Sequence, residues 1–90
     1  MPQEIDHWSA VPKYRQLAAI LRERIERGEF DDVPDQKLPS EASLMKDYGL
    51  ARNTVRQAMR VLRDWGMVET VPLRGSRLLP REQWHPPADG

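Results

Sequence analysis

Two runs of apolar residues at helical spacing meet at "YGLARN" with almost nothing between them, and that junction restricts the fold more than any other feature of the chain. On its N-terminal side Ser40 stands as N-cap to "EASLMKDY", a short segment with Leu44, Met45 and Tyr48 on one face and Gly49 at its end. Only Leu50 and Ala51 intervene before apolar residues resume at Val55, Ala58, Met59, Leu62 and Trp65, closed by Gly66. A short helix, a tight glycine turn and a longer helix make a helix-turn-helix.

The flanking segments complete the pattern. Upstream, "KYRQLAAILRERIERG" sets Tyr14, Leu17, Ala18, Leu21 and Ile25 at helical spacing before Gly28, which predicts a first helix. The acidic, proline-bearing stretch that follows offers Phe30, Val33 and Leu38 as anchors for an irregular loop. Downstream, "MVETV" alternates, "PLRG" supplies turn chemistry and "SRLL" can return, so a β-hairpin is expected over 67–79. The predicted fold is therefore mainly α with a small β-hairpin: a winged helix-turn-helix of three helices plus wing. Leu17, Leu21, Ile25, Leu44, Val55, Leu62 and Val68 are its expected core. Residues 1–12 read as an N-terminal extension, 13–79 as the domain, and 80–90, rich in Pro and polar residues, as a flexible C-terminal tail.

At 90 residues and 39% hydrophobic content the chain can bury one modest core. Cysteine is absent, which removes disulfides and thiolate metal sites and fits a reducing cytoplasm. No apolar run approaches the roughly 20 residues that span a bilayer. Catalysis and metal binding find no support: His7 and His85 lie in the terminal segments, no carboxylate pair shares a pocket-forming face, and no cofactor motif is present. The net charge of zero hides an asymmetry. Residues 1–43 carry six Lys/Arg against nine Asp/Glu, whereas residues 44–81 carry eight against three. The second half is basic, as a nucleic-acid partner would require.

A helical wheel locates the basic groups. At about 100° per residue from Arg52, the apolar residues of the third helix fall between about 220° and 340°, and Arg52, Arg56, Arg60 and Arg63 between about 0° and 80°. Asn53 and Gln57 extend this polar face to about 140°. A solvated face normally mixes signs for i to i+4 pairing. This one carries no acid until Asp64, four residues after Arg60, and its Arg, Asn and Gln carry the paired donors and acceptors that suit guanine and adenine edges.

The segment "LPSEASLMKDYGLARNTVRQAMRVLRDWGMVE" resembles the DNA-binding domain of GntR-type bacterial transcription regulators: LPSE, a short helix, a glycine turn, SR-x-TVR-x-A, then L-x-x-xG. The likeness extends from about Tyr14 to Leu79. It implies sequence-specific binding of double-stranded DNA to regulate transcription in the cytoplasm, with the third helix in the major groove and the wing near the minor groove. Four positions depart from the family pattern. Ala42 stands where an Arg after LPSE often contacts DNA, and Ala51 where Ser usually caps the recognition helix. The loop between Gly28 and Leu38 is longer and lacks the family's glycine. At the wing the usual G-x-G-T pattern becomes Leu73, Arg74, Gly75, Ser76, Arg77.

The expected DNA-facing residues follow. Arg52, Asn53, Arg56 and Gln57 occupy the first turns of the recognition helix, which approach base edges. Thr54, at about 200°, suits a phosphate contact, and Arg60 a position further from the bases. Ser40 and Lys46 contribute from the second helix. Arg74 and Arg77 flank Gly75 at the wing, where an arginine can enter a narrow minor groove and the glycine serves a backbone with positive φ. The family usually appends a metabolite-sensing, dimer-forming domain; none fits in this length, which reads as either a stand-alone small regulator or a domain of a longer chain, and a monomer is expected, with two copies pairing only on an operator of two half-sites. The alternative is a winged-helix module that binds another protein.

Overall fold

The computed structural model describes residues 4–88. Its elements are α1 (Lys13–Glu26), a 3₁₀ turn (Pro34–Gln36), α2 (Glu41–Tyr48), α3 (Arg52–Asp64), β1 (Val68–Val71), β2 (Gly75–Leu78) and a second 3₁₀ turn (Arg81–Gln83). The three helices and antiparallel hairpin are those expected of a winged helix-turn-helix. All seven expected core residues are buried, joined by Ala18, Phe30, Leu38, Leu50, Met59 and Met67. Packing of α1 across α3 supplies most of this core, and β1 closes it from below through Val68.

Local chemistry sets each boundary. Ser40 caps α2 by accepting a hydrogen bond from the Ser43 amide at 3.1 Å. Gly49 ends α2 in the left-handed conformation at φ 66°, and the Leu50 amide then reaches back to the Met45 carbonyl at 3.1 Å. This reversal turns α3 across α2 within three residues. Ala51 caps α3 with no side-chain oxygen for the free amides. Ala51→Ser should therefore raise stability by roughly 0.5 to 1 kcal/mol, read as an increased urea midpoint at constant m-value. An unchanged midpoint would mean that the helix amides are already satisfied.

The hairpin pairs Val68 with Leu78 and Val71 with Gly75. Its outer edge is not bare. Lys37 bridges to Arg77, and the Leu38 amide donates to the Ser76 carbonyl at 2.9 Å, so the loop before α2 lies against β2 like a short third strand. That loop turns without the family's glycine by holding Asp35 and Gln36 at positive φ, 59° and 51°. Phe30 and Leu38 anchor it in the core, with Val33 half-buried. Arg24 braces the same region, bonding Glu29 at 2.6 Å and the Tyr48 hydroxyl at 3.0 Å. Burial disfavours its charge, but these two partners outweigh that effect and hold its pKa above the ordinary arginine value.

The described residues on either side of the domain make contacts with it. Residues 1–3 and 89–90 lie outside the described residues. Before α1, the Gln16 side chain accepts from the Asp6 amide at 2.7 Å and donates to the Asp6 and Val11 carbonyls at 3.0 and 2.8 Å. Ile5 packs on the core, while Trp8 is left 97% exposed. Residues 80–85 of the segment read as a tail lie against the domain. Trp84 is half-buried, its indole donates to the Leu79 carbonyl at 2.8 Å, and Arg81 stacks on the ring at 4.6 Å while pairing with Asp31. The His85 amide donates to the Trp65 carbonyl at 2.7 Å, at the end of α3. One aromatic residue with a satisfied polar handle docks this segment despite its polar composition.

Gly66 makes that docking geometrically feasible. Its φ is +72°, and a Cβ there would run into the Gln83 carbonyl and lie 2.9 Å from the His85 ring. Gly66→Ala should cost roughly 1 to 2 kcal/mol for the left-handed backbone and also free residues 80–85. Faster hydrogen exchange at the His85 amide would check this; unchanged protection there would contradict it.

Candidate nucleic-acid interface

The apolar stripe of α3 points into the core, which turns the opposite stripe outward. Arg52, Arg56, Arg60 and Arg63 are all exposed, as are Asn53 and Gln57, and Thr54 is half-buried beside the core stripe. Ser40, Arg52, Arg56, Arg60 and Gly75 come together round one groove bounded by the start of α2, the outer face of α3 and the hairpin. Arg74 and Arg77 line an adjoining hollow with Lys37, and Gly75 and Ser76 belong to the walls of both. The recognition helix and the wing thus present one continuous surface carrying six arginines. Lys46 stands apart, exposed on α2 about 140° round that helix from Glu41.

A residue that the helical wheel could not reveal organises this surface. Glu41, the acid of LPSE and the first residue of α2, lies 3.4 Å from Arg52 and 3.3 Å from Arg56. Both oxygens of its carboxylate face the Arg56 Nε at 3.3 Å. The arginine face does have an acidic partner, supplied by the neighbouring helix. Since all three side chains are more than a third exposed, the cluster adds little to stability. Its effect is geometric: one carboxylate holds two guanidinium groups side by side at the N-terminal turns of α3.

The other arginines differ in their attachments. Arg63 donates to the Thr70 hydroxyl at 3.0 Å, and Thr70 in turn lies 3.3 Å from the Ser76 hydroxyl, so the last turn of α3 is tied to the wing. Arg77 sits 3.9 Å from Glu69 across the hairpin. Among the described residues, Arg60 and Arg74 have no ion-pair partner. Gly75 occupies φ +99°, as its place in the turn requires. Among the described residues no helix is long and apolar enough to cross a membrane.

Comparison with known proteins agrees with this geometry. The family model for bacterial regulatory proteins of the gntR family matches residues 13–78. The chain is 42% identical over 65 residues to the mannosyl-D-glycerate transport/metabolism system repressor MngR of Escherichia coli, covering 72% of this chain and 26% of that protein. It is 36% identical over 72 residues to the transcriptional repressor NagR of Bacillus subtilis, covering 80% and 29%. It therefore spans between a quarter and a third of the length of these relatives. Among solved structures, YtrA of Sulfolobus acidocaldarius, a GntR-family transcription factor, superposes with a TM-score of 0.74 at 33% identity, covering 87% of this chain and 80% of that one. The DNA-binding domain of AraR in complex with operator ORX1 gives 0.74 at 30% identity, covering 84% and 95%. A family match over most of the 90 residues, on a three-helix domain with a wing, means that this chain belongs to the GntR family of bacterial regulatory proteins.

Proposed function

We propose that this chain binds double-stranded DNA sequence-specifically and thereby regulates transcription in the bacterial cytoplasm, with α3 in the major groove and the hairpin near the minor groove. The observation that carries this reading is the Glu41-held pair Arg52 and Arg56 at the exposed N-terminal turns of α3. Guanine presents O6 and N7 side by side, and a planar guanidinium meets both at once. Asn53 and Gln57 flank the pair with the groups that suit adenine. Ser40, Thr54, Arg60, Arg63 and the wing residues Arg74, Gly75 and Arg77 add contacts mainly to phosphates, which fix register without reading sequence, and Lys46, outside the groove, would meet only a phosphate beyond it.

Similarity to repressors and to a domain bound to operator DNA supports this reading, and the alternative of a protein-binding winged helix finds no support there. Two copies would occupy half-sites about one helical turn apart. Selection from a random duplex library tests the proposal. A short motif containing guanine at the positions facing Arg52 and Arg56 is the expected product. Recovery of unenriched sequence after repeated rounds would refute it.

A further inference from the structure

The wing tip carries a residue that neither folding nor solubility favours. Pro72 follows Val71, the Arg74 amide donates to the Val71 carbonyl at 3.0 Å, and Leu73 between them has φ 65°. A proline at the second position and a positive φ at the third define a type II turn, whose third position favours Gly or Asn. Leucine there crowds its own Cβ against the following carbonyl. It also leaves the whole isobutyl group in water, at 107% relative exposure. Single exposed apolar residues are ordinary, but one held in a strained conformation at the apex of a turn is not.

Its surroundings are cationic. Arg74 and Arg77 line the same hollow as Leu73, and Lys37 comes in from the neighbouring loop, its Cε 3.2 Å from where a Cβ on Gly75 would lie. Asp35 is the single acid lining that hollow. A small apolar tip among three cations suits the minor groove of duplex DNA. That groove, about 6 Å wide, admits one side chain but not a helix, and phosphates line both of its walls. An apolar side chain pressed between base steps unstacks them, which costs least at flexible pyrimidine–purine steps.

Building on the proposed DNA-binding function, we propose that Leu73 is an apolar minor-groove contact. Its insertion, with Arg74, Arg77 and Lys37 on the flanking phosphates, makes recognition depend on the deformability of the step beneath the wing. This is a specificity role separate from the base reading by α3.

Duplex selection with the wild-type chain and with Leu73→Gly and Leu73→Ala tests it, followed by anisotropy titrations on the selected duplex and on versions whose flanking TpA or CpA step is changed to ApA. The wild type should enrich a pyrimidine–purine step beside the major-groove motif and bind the ApA duplex about 5- to 10-fold more weakly. Both variants should keep the major-groove motif, lose the step preference and bind the selected duplex about 5-fold more weakly. Leu73→Gly should melt no lower than wild type, since it relieves the positive φ, so a loss of binding cannot come from unfolding. Wild-type flanks without a flexible step would overturn the inference, as would variants that keep wild-type preference. Leu73→Ala binding like wild type while Leu73→Gly does not would assign the effect to the backbone and also overturn it. A wild type that selects no motif at all would instead defeat the DNA-binding reading itself, which separates the two failures.

Discussion

Arg52→Ala and Arg56→Ala should each weaken binding to the selected duplex by about 1 to 3 kcal/mol, about 5- to 150-fold, while changing affinity for scrambled duplex far less. The inequality follows from position along the helix. In helix-turn-helix docking the first turns of the recognition helix approach base edges, and later turns rise out of the groove. Arg52 and Arg56 occupy those first turns and share Glu41, whereas Arg63 lies at the last turn and is bonded to Thr70 of the wing. Arg63→Ala should therefore lower affinity for both duplexes alike and flatten the salt dependence, as loss of a phosphate contact does. Titrating the three variants against both duplexes checks this. An Arg63 variant that lost selectivity while the Arg56 variant kept it would reverse the assignment of the two ends of the helix.

Leu62→Ala should cost about 2 to 5 kcal/mol of stability. Leu62 is fully buried on the face of α3 that meets α1, within a cluster that includes Leu17, Leu21, Ile25 and Met67. Truncation removes its transfer free energy and leaves a cavity that three helices joined by short connections cannot collapse to fill. A domain of this size has roughly 5 to 13 kcal/mol in total, so the variant should melt at least about 10 °C lower. A loss below about 1 kcal/mol would mean that α1 and α3 do not pack through this residue.

The core was legible because helical spacing reports burial directly. Leu17, Leu21 and Ile25 in α1, and Val55, Ala58, Met59 and Leu62 in α3, recur at the period of a helix with one face in the core. Gly28, Gly49, Gly66 and Gly75 were legible as punctuation, and each adopts positive φ. The arginine face of α3 followed from the same wheel, but its organisation did not. Glu41 is 11 residues from Arg52 and 15 from Arg56, so pairing rules that operate within one helix cannot see it. Only the way Gly49 turns α3 across α2 brings them together.

The edge pairing of Lys37 with Arg77 was hidden for a related reason. It joins a loop without periodicity to a strand 40 residues later. The docked tail shows the limit of composition. "PREQWHPP" has too few apolar residues to predict burial, yet the Trp84 indole packs on the core with one hydrogen bond and an arginine over its face, and the His85 amide and the Arg81–Asp31 pair add further ties. Gln16 acts similarly at the other end, closing the N-terminal segment through polar contacts that hydrophobic patterning does not register.

The proposed surface reads sequence and does not merely attract phosphate. Equilibrium titration of the wild-type chain with the selected duplex and with a scrambled duplex of equal composition, at about 50 and about 200 mM salt, tests it most directly. Both affinities should fall steeply with salt, and the selected duplex should stay preferred by about 10³-fold or more at each concentration. A preference near unity at both concentrations, with only the salt dependence remaining, would show a basic face that attracts DNA without reading it.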